Sequence, residues 1–408
     1  MNGTPDRPAV AHVLGTPGTG GVPVVAHALL RRLPGWRPHL YYLTDRTADP
    51  VRRDVAVAAL QAAGVVVRLV PADVARDKER AVDTVAGWVA QDGVRLVHTH
   101  STRPNRYGRL AALRVPGVRV VAHYHNHYDD KWSDGSADLD LERRLAARTD
   151  HLVACSESVR DHVVDRLGVG ADRVTVLRNG VDAERFAHGD GARVRQGLGV
   201  APGTTVIGAV GRLCAQKAPD DVLEAVAPIL LQRNGSGGSG PRAELWFVGA
   251  PDDAALAAAL ERRAAGLGVA GAVRFLGYRA DVPDVYAALD VVVLASRWEG
   301  FGLVVAEAMA AGRPVVATDV GGVGEAAGTG LSGGPAALLV PPGDVAALRA
   351  GVADVLARPA LAADLALRGV GRSATLGWGE AAAALDVLYR DVLSRPVPAA
   401  EPLPVGAP

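Results

Sequence analysis

Short β-branched runs alternate along this chain with Ala-, Leu- and Arg-rich stretches of helical length, and the series occurs twice. "AVAHVLG" leads into "GVPVVAHALLRRL", and "HLYYLTD" into "DPVRRDVAVAALQAAG"; "VVVRLVP", "VRLVHTH", "VRVVAHYH", "HLVACS" and "RVTVLRNG" continue it. Near-continuous apolar runs are what parallel strands covered on both faces require. The alternation predicts a doubly wound α/β sheet. A break at "NGVDAERFAHGDGARVRQGLGVAPGTT" is followed by a second set: "VIGAVGRL", "AELWFVGA", "VRFLGY", "DVVVLAS", "PVVATDV" and "AALLVPP". We therefore expect two Rossmann-like domains, over 1–190 and 191–375, in a chain of 408 residues. At ~150 residues per domain that length suffices for two or three large cores. By composition, 232–242 ("QRNGSGGSGPR") is a flexible loop and 394–408 a disordered Pro/Ala-rich tail.

Charge narrows the partners. Lys+Arg and Asp+Glu are both 44, which argues against non-specific attraction to nucleic acid or an anionic membrane. Two distant cysteines, Cys155 and Cys214, make a disulfide framework unexpected and a reducing cytoplasm the default. The N-terminus lacks a charged start followed by a long apolar core, and no run reaches the roughly 18 apolar residues of a membrane span.

The stretch "SRWEGFGLVVAEAMAAGRPVVATDVGG" places Glu299 and Glu307 eight positions apart, with Gly300, Phe301 and Gly302 between them. It reads as strand end, glycine loop, then a helix stopped by Gly312 and Pro314. Gly300 and Gly302 let backbone approach a ligand, and free amides at a helix start suit phosphate. Glu307, a turn or more into the helix, suits a vicinal diol such as ribose better than an anion. The two acids bracket a group on the order of 10 Å long, the layout of a sugar nucleotide. A solvated loop acid and a helix-face acid would give the same spacing. In "GAVGRLCAQKAPDDVLEA", Arg212 and Lys217 lie five apart beside a strand end. They suit a pyrophosphate, as fork and point charge, though ordinary surface basicity looks the same.

"EGFGLVVAEAMAAGRPVVATDVGGVGE" resembles the E-x7-E signature of retaining glycosyltransferases of family 4, which have the GT-B fold. "GTGGVPVVAHAL", "VRLVHTHS", "HLVACSESVRDHV", "VTVLRNGVDAERF", "VGRLCAQKAPDDVLEA", "LLVPPGDVAAL" and "GWGEAAAALDVLYRDVL" follow in the family's order, over roughly residues 10–393. The resemblance implies that Glu307 accepts from ribose hydroxyls and Glu299 orients the donor sugar. It implies that the backbone of Gly302 and Leu303, with Arg212 and Lys217, holds the diphosphate. The Gly20–Gly21 turn would lie near phosphate and acceptor, His125 close to the sugar, and Glu325 would be a further acid. The donor would bind the C-terminal domain and the acceptor the N-terminal one, with reaction in the cleft. The final helix, within 376–393, would pack back on the N-terminal domain. Ala218 departs from the family, where a glycine follows the lysine.

In "HYHNHY", an extended strand would put His123, His125 and His127 on one face. No acid or cysteine signature accompanies them, so a polar cleft lining is the expectation and a metal is not; His98 and His100 line the same floor or serve the core. "GTPGTGGV" lacks the Lys-Ser/Thr of a P-loop, and Gly18-x-Gly20 lacks the third glycine of a dinucleotide fingerprint. Asp138-x-Asp140 reads as a helix start rather than a metal motif.

The expectation is thus a cytoplasmic, metal-independent retaining hexosyltransferase with no cofactor. It uses a nucleotide-sugar donor, UDP before GDP, and a small soluble acceptor. The alternatives are a glycoside phosphorylase, a sugar-nucleotide epimerase, or a non-catalytic sugar-nucleotide-binding protein.

Overall fold

The computed structural model describes residues 7–18, 20–47, 50–128, 138–235 and 241–396. The loop expected over 232–242 lies partly, and the tail over 394–408 mostly, outside the described residues. The chain divides into two compact units, Met1–Arg178 with Trp378–Pro408, and Asn179–Gly377.

Among the described residues the first unit holds seven parallel strands: β1 (Ala9–Leu14), β2 (Arg37–Tyr42), β3 (Val66–Leu69), β4 (Val94–His100), β5 (Arg119–Tyr124), β6 (His151–Ala154) and β7 (Val174–Val176). Their order is β3-β2-β1-β4-β5-β6-β7. Every residue of β1 and β5 is buried, as the apolar runs require. The helix Trp378–Ser394 belongs to this unit, with Leu385, Tyr389 and Val392 buried. Trp36 Nε1 donates to Asp386 on that helix at 2.6 Å. Asp138 caps the helix Leu139–Ala147 by accepting from the Leu141 amide, the role read from its sequence.

The second unit holds β8 (Thr205–Val210), β9 (Ala243–Val248), β10 (Val273–Gly277), β11 (Val291–Leu294), β12 (Val315–Thr318) and β13 (Leu338–Val340). They pair in parallel in the order β10-β9-β8-β11-β12-β13. The unit begins at Asn179 because the short helices Ala183–Ala187 and Gly191–Gly197 pack on the helix Val282–Ala288. A side chain at Gly191 would run into the backbone of Ala287.

In both sheets strand order reverses beside the first strand, between β1 and β4 and between β8 and β11. Loops leaving the carboxyl ends on either side of such a reversal diverge and leave a crevice.

Candidate functional site

In the second unit β8 ends at Val210, and the chain turns through Gly211 and Arg212 into a 3-10 turn, Ala215–Lys217. Ala218 then takes a left-handed conformation (φ 44°, ψ 57°), and Pro219 opens the helix Pro219–Asn234. The glycine expected here in the family is explained: an L residue carries strain at this φ. Beside it, β11 ends at Leu294 and the loop from Ser296 leads to the helix Leu303–Ala310. Two hydrogen bonds tie the loops: the Arg297 backbone amide donates to the Gln216 carbonyl at 2.8 Å, and the Gln216 side chain donates from Nε2 to the Trp298 carbonyl at 2.9 Å.

These ties bring two sequence-predicted residues together. Lys217 Nζ donates to Glu299 Oε1 at 2.5 Å, and Ser296 Oγ donates to the same oxygen at 2.6 Å. Glu299 is 6% exposed, so the pair sits where solvent screening is weak. Gly302 has φ 86° and turns the chain into the helix as its N-cap, a position with no side chain to cap the first amides. Gly321 (φ 53°) lies so close below that a Cβ would collide with the Glu299 carbonyl oxygen. Gly300 and Phe301 are buried, and Leu303 is the first helical residue. Glu307 follows on the helix. Tyr286 donates its hydroxyl to Glu307 Oε2 at 3.0 Å. Burial pushes the Glu307 carboxyl up to about 7, against the Tyr286 hydrogen bond and the charges of Lys217 and Arg185.

Arg212 has a partner of its own. Its guanidinium pairs with Asp252 at 2.8 Å, and both side chains are about half exposed. It still shares one hollow with Gly211, Leu213 and Lys217. Glu325 stands in the first turn of the helix Val323–Ala327. Tyr286, Ser296 and Asp252 were not picked out from the sequence.

In the first unit the register aligns His12 of β1 with His98 of β4, and His100 of β4 with His123 of β5. Alternate residues of a strand share a face, so the four imidazoles share one. The ring centroids of His98 and His100 lie 4.3 Å apart, and those of His123 and His125 3.9 Å apart. A hydrogen-bonded chain crosses the strands. His125 Nε2 meets His100 Nδ1 at 2.9 Å, His100 Nε2 meets His12 Nδ1 at 2.9 Å, and His12 Nε2 meets the Tyr389 hydroxyl at 2.9 Å. That hydroxyl also meets His98 Nδ1. Burial holds all five rings neutral at pH 7, with His12 and His125 down to about 3 and His98, His100 and His123 well below 6.5.

His127 does not join them. The strand ends at Tyr124, the period of two is lost, and His127 Nε2 turns to Ser158 Oγ at 3.0 Å. His12 and Tyr389 were missed in the sequence; the recurrence of histidine late in "AVAHVL", "VRLVHTH" and "VRVVAHYH" was the available signal. Ser101, immediately after β4, has φ 70° and ψ 177°, a region otherwise reserved for glycine. Gly20 caps the helix Gly21–Leu30 after β1, and a Cβ there would meet open space.

Comparison with known proteins follows this division. Residues 19–185 match the family model described as Glycosyltransferase Family 4, and residues 204–358 the one described as Glycosyl transferases group 1. A D-inositol 3-phosphate glycosyltransferase from Saccharomonospora viridis is 32% identical over 317 residues, 76% of this chain and 68% of that protein. The chain belongs to glycosyltransferase family 4.

A second such family member, the D-inositol 3-phosphate glycosyltransferase of Geodermatophilus obscurus, is 37% identical over 283 residues, 67% of this chain and 57% of that protein. The match spans 51–64% of the length of the first three curated relatives. Among solved structures, Anabaena HepE in complex with UDP-glucose superimposes with a TM-score of 0.78 at 21% identity, covering 94% of this chain and 99% of that one. Sucrose-phosphate synthase from Thermosynechococcus elongatus gives 0.76 at 22%, covering 95% and 100%. These structures share the fold, and the two Rossmann-like units of this family 4 chain are those of GT-B glycosyltransferases. Among the described residues no helix is long and apolar enough to cross a membrane.

Proposed function

We propose that this chain is a retaining glycosyltransferase that moves a hexose from a nucleoside diphosphate sugar to a hydroxyl of a small phosphorylated cyclitol. The observation that carries the donor side is the Lys217–Glu299–Ser296 cluster beside the uncapped helix start at Gly302–Leu303, with Glu307 farther along the same helix. An anionic diphosphate fits the amides and Lys217, with Arg212 at its outer edge. Glu307, as carboxylate, accepts from the ribose diol, and Glu299 takes hydroxyls of the sugar while holding Lys217 in place. The acceptor class is supported by the relatives, named for D-inositol 3-phosphate. UDP as first donor base is supported by the HepE complexes with UDP and UDP-glucose.

In the reaction the bond between the sugar's anomeric carbon and the phosphate oxygen breaks, and its electron pair leaves with the diphosphate. Lys217 and the helix amides stabilise that developing charge. The acceptor hydroxyl attacks the same face as the oxocarbenium-like centre opens, and its proton passes to the departing phosphate oxygen. The positive charge at the diphosphate comes from the chain itself, with no divalent ion on the phosphates.

The test is a donor screen. UDP-, GDP-, ADP- and TDP-glucose are incubated with inositol phosphate without magnesium or manganese, and the product anomer is read by NMR. Transfer with retained configuration is expected. No transfer from any donor, an inverted product, or strict magnesium dependence would overturn the proposal.

A further inference from the structure

We propose that His100, His123 and His125 of the first unit bind a divalent transition-metal ion of the zinc class. None of the three belongs to the Lys217–Glu299–Glu307 cluster; they stand at the carboxyl ends of β4 and β5.

One ring nitrogen from each of these three residues lies within 4.8 Å of the others. In a tetrahedral zinc site with ~2.0–2.1 Å bonds, ligand nitrogens stand roughly 3.3 Å apart, so a small approach of the rings closes the set. The second observation is a failure of ordinary pairing. His123 is 0% exposed, yet neither of its ring nitrogens has a hydrogen-bond partner among the described residues, and His125 Nδ1 has none either. Leaving a buried polar group unpaired costs about 1–3 kcal/mol, and native interiors tolerate few such groups. A metal takes up a His123 lone pair that no donor among the described residues reaches.

The surroundings supply what a ligand histidine needs. His100 Nδ1 and His125 Nε2 point at each other at 2.9 Å. The bonding network admits two tautomeric arrays, since ring protons are inferred from partners. In one, His100 Nδ1–H donates to His125. In the other, His100 Nε2–H donates to His12 Nδ1, His12 Nε2–H to the Tyr389 oxygen, and the Tyr389 hydroxyl to His98 Nδ1. The second array frees both facing lone pairs for a metal. It also gives His100 the outer partner that orients metal-ligating histidines. An imidazole-only set suits zinc, copper or nickel rather than magnesium or calcium. Three ligands leave a fourth position for water or an anionic oxygen, reached past the partly exposed His125.

The experiment uses the untagged full chain. Zinc content is measured by plasma mass spectrometry after gel filtration, and affinity by titration against a chromophoric chelator. The expected result is one zinc per chain, lost in His125→Ala and in His123→Gln and retained in His127→Ala. Tyr389→Phe, which keeps the ligands but removes the end of the chain of partners, should weaken binding by ~10-fold or more. Should His123→Gln not fold, His125→Ala at its partly exposed position carries the test. Substoichiometric zinc in the folded wild-type chain, or unchanged stoichiometry in His125→Ala, overturns the proposal.

Discussion

The two sheets reverse strand order at equivalent places, and each gathers its unusual side chains there, but the chemistry of the two gatherings is opposite. Beside β8 and β11 a salt bridge joins Lys217 to Glu299, with Glu307 on the helix that follows. Beside β1, β4 and β5 stand five uncharged imidazoles and a phenol. Topology selects where a ligand is held; the residues at the strand ends decide which ligand. A charged pair in a weakly screened loop is suited to an anion whose charge grows during reaction. A neutral imidazole cluster is suited to lone-pair donation and hydrogen bonding.

The largest effect should come from the charged side. Lys217→Ala at saturating donor should lower kcat by about 100- to 1,000-fold, the range for losing one preorganised donor to a developing anion. It should also destabilise the second unit, because Glu299 is left buried with the Ser296 hydroxyl still donating to it but no cation beside it. The double variant Lys217→Ala with Glu299→Gln separates the two effects: urea unfolding should recover, turnover should not. Turnover equal to wild type in Lys217→Ala would remove its role at the leaving group.

How far each side could be read in advance follows from the same contrast. Glu299, Gly302 and Glu307 lie in one contiguous stretch, so their spacing on loop and helix was legible. The Lys217–Glu299 bond spans 82 positions, and only the pairing of β8 with β11 makes it. Local spacing likewise could not show Asp252 waiting for Arg212, or Tyr286 already on one Glu307 oxygen. The histidine cluster was half legible. His98, His100, His123 and His125 were singled out, but register added His12 and the last helix added Tyr389. The placement of His127 failed because β5 ends three residues earlier, and a two-residue period holds only within a strand.

Glu307 comes next in size. Hydrogen bonds to charged groups are worth about 1.5–3 kcal/mol, so Glu307→Gln should weaken UDP binding by roughly 10- to 100-fold in calorimetry. The pH dependence has a definite sign. The folded carboxyl is raised to about 7 by burial, and the accepting form is the carboxylate. Affinity should therefore be full above pH 7 and fall below it, by at most ~10-fold per pH unit, with a proton released on binding. Glu307→Gln should lose that component of the slope. Stability runs the other way. A carboxyl with a raised folded value stabilises the fold at low pH and loses that contribution as pH rises from 4.5 to about 7, so Glu307→Gln should melt higher than wild type at pH 8 and not at pH 4. Parallel slopes in the two proteins would show that Glu307 does not titrate on binding.

The smaller effects concern strain. Among the described residues two non-glycine residues have positive φ, Ser101 and Ala218, one beside each cluster. Ser101 occupies the more costly region, at about 1–3 kcal/mol. Its side-chain compensation is slight, an oxygen 3.4 Å from the Tyr128 hydroxyl. Ser101→Gly should raise the stability of the first unit by ~1 kcal/mol after the ~0.5–1 kcal/mol entropy of glycine is subtracted, read as a shift of roughly 2–4 °C in its melting temperature.

Ala218 is the closer balance. Its left-handed backbone costs about 1–2 kcal/mol, which glycine would relieve. Its methyl, however, is 0% exposed within the core that includes Leu213, Val222 and Leu245. Burying one carbon of that kind contributes ~0.8 kcal/mol, and glycine adds unfolded-state entropy of ~0.5–1 kcal/mol. The two sides nearly cancel, so Ala218→Gly should change the unfolding free energy by less than ~1 kcal/mol and leave kcat near wild type. A gain of several kcal/mol in urea unfolding would mean that packing does not offset the strain. A marked change in kcat with unchanged stability would mean instead that the turn sets the reach of Lys217, placing Ala218 among the residues that tune the charged cluster.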